Sequence, residues 1–229
     1  MLSSTQERPV VVALDSDLET KGTHCAYCFR TIPEGTAVVT ENDKLGAAYC
    51  SKDCQVKGNY SWHNLYFGGE PVLPPDLDQG GGVGSLTAEA RNTAQNAYVE
   101  WRKANSKQAN ILAARFIAKQ VALETQKMSK DKAGPLGNEI AQLADGKDLY
   151  GIQDHMERLR FVDGHVTDEE VKVLRDVLGA ALPGLEDSIV EERHAVLVGK
   201  MAYNAIGVCP NGGREDRVRT ATSSRREVC

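Results

Sequence analysis

Two close pairs of cysteines, Cys25/Cys28 and Cys50/Cys54, limit what the first part of this chain can become. They are separated by 21 residues, Phe29 to Tyr49. A tetrahedral zinc ion takes four soft donors at about 2.3 Å. A CxxC knuckle bends the backbone so that two thiolates face one ion. A CxxxC pair does the same when its second cysteine sits on the first turn of a helix. The spacing therefore predicts one structural Zn²⁺ held by Cys25, Cys28, Cys50 and Cys54. Two disulfides would instead suit a secreted protein, but Met1 to Val12 has no long apolar core of the kind a signal peptide needs. A redox CxxC would call for a thioredoxin-like βαβ setting, which the sequence does not show.

Around the cysteines the local patterns predict small elements. Pro9 to Leu14 is short and β-branched and reads as a strand covered on both faces. Asp15 to Thr23 reads as a polar connector. Thr36 to Glu41 and Leu45 to Tyr49 read as two strands joined at Asn42-Asp43, the second delivering Cys50. Ser51 to about Asn59 reads as a short helix carrying Cys54, with Ser51 and Asp53 suited to its first turn. His24 and His63 lie near the cluster, but four cysteines already close a structural site. Trp62, Tyr66 and Phe67 read as an apolar pad beneath it.

Composition changes at residues 71–85, where Pro-Val-Leu-Pro-Pro is followed by a glycine run. Proline fixes φ and glycine frees it, so this stretch reads as a linker. The GGGVG run lacks the Lys-Ser/Thr of a phosphate loop. From Leu86 the period becomes helical. Leu86, Ala90, Ala94, Ala97 and Trp101 mark one helix. Ile111, Leu112, Phe116, Ile117, Val121 and Leu123 mark a second whose stripe is wide enough for a mostly covered helix, stopped by Gly134-Pro135. Ile140 to Leu159 predicts two short helices broken at Gly146. Thr167-Asp-Glu-Glu170 and Ser188-Ile-Val-Glu191 each have capping-box spacing and predict helix starts. Val171, Leu174, Leu178 and Ala181 mark the face of the first of these helices. His155, His165 and His194 have no partner that the sequence identifies, and no catalytic triad is legible.

Residues 209–229 are polar and locally basic, with Arg214, Arg217, Arg219, Arg225 and Arg226, and are expected to form a disordered tail. Cys209 and Cys229 are expected to be free thiols. The net charge of −5 does not mark a nucleic-acid binder. In the cysteine lobe Arg30, Lys44, Lys52 and Lys57 are matched by Glu34, Glu41, Asp43 and Asp53, so DNA binding ranks last among the expectations. No apolar run predicts a membrane span. The reading is a nuclear or cytoplasmic protein of α+β class, mostly α-helical. Its expected parts are an N-terminal strand region (1–22), a zinc finger (23–70), the linker (71–85), a helical segment (86–208) and the tail (209–229).

HCAYCFR, followed by YCSKDCQ, resembles the MYND-type finger that interrupts the catalytic domain of the SET-MYND lysine methyltransferases. ILAARFIAKQ, from Ile111, and the run Thr167 to Val208 resemble the helical part that follows the finger in that family. KMAYNAIGV resembles the place where the family's chain passes from a helix to a strand. There the resemblance implies that Asn204 contacts S-adenosylmethionine. The likeness covers roughly Pro9 to Val208 and is specific only at the cysteines. A full MYND finger holds two zinc ions through eight ligands; here the second site's cysteine pair is absent, which implies a single ion.

Other parts of the family pattern are missing. No glycine-rich strand precedes the finger, no NHSCxPN-type motif follows Asn204, and the later tyrosine of the methyl-transfer channel has no counterpart. The resemblance therefore implies an incomplete SET-MYND architecture: a truncated relative of protein-lysine (histone) methyltransferases without a complete active site. S-adenosylmethionine would be its cofactor only if the SET domain were complete, and histone-like proteins its substrates. The second expectation is a non-enzymatic, zinc-dependent module that binds a protein partner.

Overall fold

The computed structural model describes residues 11–41, 43–70, 72, 73, 77, 88–105, 107–129, 152–208 and 218–221. Among these the chain is mostly helical, with two small sheets. The expectations for Pro9, the glycine run, Gly134-Pro135, Ile140, Gly146, Cys209 and Cys229 lie outside the described residues.

The chain enters as strand β1 (Val11–Leu14) and turns into a short helix α1 (Ser16–Glu19). This corrects the expected polar connector: Leu18 and Glu19 are both buried. A two-stranded antiparallel hairpin follows, β2 (Val38–Val39) with β3 (Ala48–Tyr49), shorter than the two strands expected. Helix α2 (Lys52–Gly58) begins where expected, but the chain does not stop at Asn59. It continues through a π-helical turn, Asn59–His63, into α3 (Asn64–Tyr66). The wider π turn places Trp62 and His63 inward together, and both are buried.

Helices α4 (Ala88–Ala104) and α5 (Gln108–Met128) form the body. Helix α5 contains no glycine or proline and is rich in Ala, Leu, Gln and Lys, which suits an uninterrupted helix. It is covered on nearly all sides, as its wide stripe predicts. Ala114, Ile117 and Ala118 join the core shared with the cysteine lobe, α4 and the helix that follows Thr167. Ile111, Leu112, Ala113 and Phe116 join a second core with β1, Met156 and Met201. Full burial of each large side chain is worth about 1.5–3 kcal/mol, so α5, through Ile111, Leu112 and Phe116, is a main anchor of the second core and ties it to the first. On α4 the expected alanine stripe is rotated. The residues it buries are Gln95, Tyr98, Val99 and Trp101, because the aromatic rings, not the alanines, carry the apolar area.

Helix α6 (Ile152–Arg158) precedes a loop that leads to α7 (Asp168–Ala181). Thr167 caps α7, its hydroxyl accepting the Glu170 amide at 3.1 Å. The second capping box does not form. Ser188 lies in a 3₁₀ turn, Leu185–Ser188, and its hydroxyl donates to the Leu185 carbonyl at 2.6 Å. Helix α8 (Glu191–Asn204) starts after Val190 without a side-chain cap. The loop before α7 packs backbone to backbone on α8, where a Cβ on Gly199 would collide with the Val162 carbonyl.

Helix α8 leads directly into β4 (Ala205–Val208). Strand β5 (Val218–Ala221) comes from the stretch expected to be a disordered tail, and this is a correction. It is the central strand of a sheet of order β1-β5-β4, antiparallel to both neighbours, with Val11 opposite Ala221 and Ala221 opposite Ala205. Backbone groups that β1 and β4 would otherwise leave unpaired are satisfied by this insertion. The surrounding arginines and serines hid the strand. One continuous core runs from Cys25 and Tyr49 to Leu174 and Leu178. Among the described residues no helix is long and apolar enough to cross a membrane.

Candidate metal centre

The first cysteine pair sits on a tight knuckle. The Cys25 amide donates to the Arg30 carbonyl at 2.9 Å and the Phe29 amide to the Cys25 carbonyl at 2.9 Å. Phe29 takes φ of 64°, a left-handed value uncommon outside glycine, which lets the chain reverse in so few residues. The Cys28 amide points at the Cys25 sulfur at 3.5 Å. The second pair straddles the start of α2. Cys50 leaves β3, Ser51 caps the helix by accepting the Cys54 amide at 3.1 Å, and Cys54 therefore lies on the first turn. Two ties bring the pairs together. The Ala26 amide donates to the Ala48 carbonyl at 2.8 Å, and the Gln55 side-chain amide donates to the Val39 carbonyl at 3.0 Å and to Thr40 at 2.9 Å.

The outcome is that Cys25, Cys28, Cys50 and Cys54 place their sulfurs within 4.8 Å of one another. Cys50 Sγ is 3.5 Å from Cys28 Sγ and 3.5 Å from Cys54 Sγ. Four sulfurs around one zinc at about 2.3 Å would stand roughly 3.8 Å apart, so the cluster fits that tetrahedron with little movement. All four are free thiols, well beyond the roughly 2.05 Å of a disulfide. Burial, together with the neighbouring thiols, pushes the Cys28 thiol up to about 12. Burial also raises Cys54. Burial works against the Cys25 thiolate too, but amides of Cys28, Cys50 and Tyr27 outweigh it and lower that thiol. A divalent cation at the centre would supply the missing positive charge and deprotonate the set. The cluster can hold one metal ion.

Neither nearby histidine belongs to the cluster. His24 Nδ1 is 3.0 Å from the Thr23 hydroxyl. His63 is fully buried and its Nε2 lies 2.7 Å from Asp43 Oδ1. Asp43 also accepts the Leu45 amide at 3.1 Å and the Ala47 amide at 2.6 Å. Despite burial, these donors and His63 hold the Asp43 carboxyl below its ordinary value. The pair thus fixes the loop that feeds β3 and Cys50. The sequence reading placed Asp43 in a turn and missed this partnership. Trp62, Tyr66 and Phe67 are buried as expected, and the Tyr66 hydroxyl donates to the Ala114 carbonyl at 2.9 Å.

Behind this pad lies a charged cluster that sequence reasoning did not find. Buried Glu19 accepts from Arg102 and, at 3.2 Å, from Arg115. The Arg115 guanidinium carbon is 3.0 Å from the centroid of Trp62, and that of Arg102 is 5.4 Å from Phe67. Burial draws Arg115 down to about 10, with Glu19 opposing the change. Because the three residues come from α1, α4 and α5, only the folded chain reveals them as a set.

In the helical body His194 acquires a partner. Its Nε2 is 2.7 Å from Glu170 Oε1, both side chains buried. Glu170 was expected to reach back to the Thr167 amide; it turns inward to the histidine instead. Asn204, the residue linked to cofactor binding by resemblance, ends α8. Its side-chain amide donates to the Arg160 carbonyl at 2.6 Å and to the Lys200 carbonyl at 2.7 Å. It stands one residue before β4, which β5 separates from β1 in the sheet. A groove of about 1000 Å³ runs between α5, α6 and α8, lined in part by Phe116, Ile117, Met128, Ile189, Val196 and Leu197.

Comparison with family models, with characterised proteins and with solved structures finds no match to this chain.

Proposed function

We propose that this chain is a zinc-stabilised, SET-MYND-like protein, related to protein-lysine methyltransferases but without a complete methyl-transfer site in these residues. The observation that carries the zinc part is the convergence of Cys25, Cys28, Cys50 and Cys54. Zinc suits four thiolates in a closed set better than harder metals do, and such a site supplies folding energy. The relation to methyltransferases is supported by the resemblance of the finger and helical segments. Asn204 is the single candidate contact for S-adenosylmethionine, and two backbone carbonyls already engage its amide nitrogen. Methyl transfer needs cofactor and lysine held in near-attack geometry. These 229 residues carry neither the glycine-rich strand nor the NHSCxPN motif that would hold them. The test is metal analysis of the purified chain together with titration of S-adenosylmethionine and a radiolabel transfer assay on histones. About one zinc per chain is expected, with no turnover. Two zinc ions would overturn the single site, and turnover would overturn the incomplete-site reading.

A second reading, a zinc-dependent protein-interaction module, is favoured by the finger's surface. Val39 on β2 and Val56 on α2 are 62 % and 37 % exposed, and Gln55 bonds α2 to β2 between them. Partner capture that persists without S-adenosylmethionine and is lost on Val39→Asp would support it.

A further inference from the structure

The four sulfurs are not equivalent. Cys50 Sγ is 3.5 Å from both Cys28 Sγ and Cys54 Sγ, so either contact can close into a disulfide that contains Cys50. Cys28, Cys50 and Cys54 are partly exposed, whereas Cys25 is fully buried beneath them. The Cys25 sulfur is also tied down by the Cys28 amide. Thiolate oxidation follows access as well as charge, so the exposed three are the sulfurs a small oxidant meets first. A disulfide between Cys50 and either neighbour needs the sulfurs to close by about 1.5 Å.

We propose that this centre is a peroxide-responsive metal switch with Cys50 as the shared partner. Oxidation joins Cys50 to Cys28 or to Cys54 and releases the ion, while Cys25 stays reduced. The inference rests on the zinc reading above. In the first step the thiolate of Cys28 or Cys54 attacks one oxygen of hydrogen peroxide. A sulfur–oxygen bond forms, the oxygen–oxygen bond breaks, and the departing hydroxide takes a proton from solvent to become water. The Cys50 thiolate then attacks the sulfenic sulfur. The disulfide forms, the sulfur–oxygen bond breaks, and a second hydroxide leaves and is protonated. Two electrons have passed from two thiolates to the peroxide. The ion has lost two of its four donors, and the remaining pair cannot complete a tetrahedron, so zinc passes to water. A thiol reductant with added zinc reverses the change.

The test uses the full chain carrying Cys209→Ser and Cys229→Ser, so that only the four cluster thiols remain. No ligand is altered, so folding does not confound the result. Zinc content is measured first: an ion-free protein would overturn the zinc reading itself. For the zinc-bound protein, hydrogen peroxide is titrated while a chelating dye reports release and peptide mass mapping reports disulfides. The expected result is release of about one zinc per chain, matched by loss of two thiols and a disulfide that contains Cys50. Zinc must rebind after reduction. Retention of zinc at peroxide levels that oxidise free cysteine would overturn the switch while leaving the zinc reading intact. A disulfide that includes Cys25, or direct passage to sulfinic acid, would overturn the role assigned to Cys50.

Discussion

The cysteine lobe and the helical body solve the same problem by different means. The lobe has two-residue strands and short helical turns, and its geometry is held by side chains: the thiol cluster, the Gln55 ties and the Asp43–His63 pair. The body has helices of up to 21 residues, and its apolar faces alone would define it. Yet the body also buries charge, in Glu19–Arg102–Arg115 and Glu170–His194. In the lobe, polar and thiol groups hold elements too short to hold themselves against the core they share with the body. In the body they sit where helices must meet in one register. Removing a ligand should therefore loosen a region, whereas removing a buried charge should weaken the whole.

Cys50→Ser gives the sharpest test and the largest effect. Apparent zinc-binding energies in small finger modules are about 10–16 kcal/mol, and that binding is coupled to folding. The variant should bind no zinc. Hydrogen exchange should rise through residues 24–58 while α5 and α7 stay protected; loss of protection in α5 would show that the two regions fold as one.

Next comes Glu19→Gln, which leaves two buried guanidiniums without a counter-charge. Breaking one partner of a buried pair costs about 3–5 kcal/mol. Thermal unfolding should show a lowered midpoint with zinc content unchanged. A drop in zinc would mean that the cluster organises the lobe as well as the body.

Asp43→Asn should cost about 1–3 kcal/mol, because it weakens charge-assisted bonds from His63 and from two amides. The wild-type carboxyl titrates below its ordinary 3.8 when folded. The folded state then binds fewer protons than the unfolded chain in that acid range. Its stabilisation is fully present above 3.8 and is lost as pH falls below it. Acid unfolding, compared between wild type and variant at matched zinc content, should lose this component in the variant.

The smallest effects are the most direct comparison. Ser51→Ala and Thr167→Ala remove the same kind of cap, one in each region, and each should cost about 1 kcal/mol. Only Ser51→Ala should lower zinc affinity, since its cap holds Cys54. Equal affinity in both variants would show that the cap is irrelevant to the ligand.

What the sequence made legible was local. Cys25, Cys28, Cys50 and Cys54 declare their geometry by spacing, and Ser51 and Thr167 declare caps within three residues of the amides they bind. The wide stripe of α5 foretold its burial. The unread features depend on distance along the chain. Glu19 looked like one more polar residue until Arg102 and Arg115 arrived from α4 and α5. Glu170 had the spacing of a capping box, but a buried histidine 24 residues away was the better partner. Ser188 had the same spacing and no such outcome, because a 3₁₀ turn claimed its hydroxyl. Strand β5 was masked by arginine-rich surroundings, and only pairing partners on both sides give it a reason to be extended.

The position of β5 also bears on the order in which the molecule can be made. Val11 pairs with Ala221, so the partners are 221 − 11 = 210 residues apart. At roughly 5–20 residues per second, β1 emerges from the ribosome about 10–40 s before the strand it needs. The cysteine lobe has no such wait, since its ligands span Cys25 to Cys54 and can close on metal early. Folding should then run from the finger outward, with the sheet formed last across the longest loop in the chain. Once α5 has emerged, it can cover the apolar side of β1 until β5 arrives.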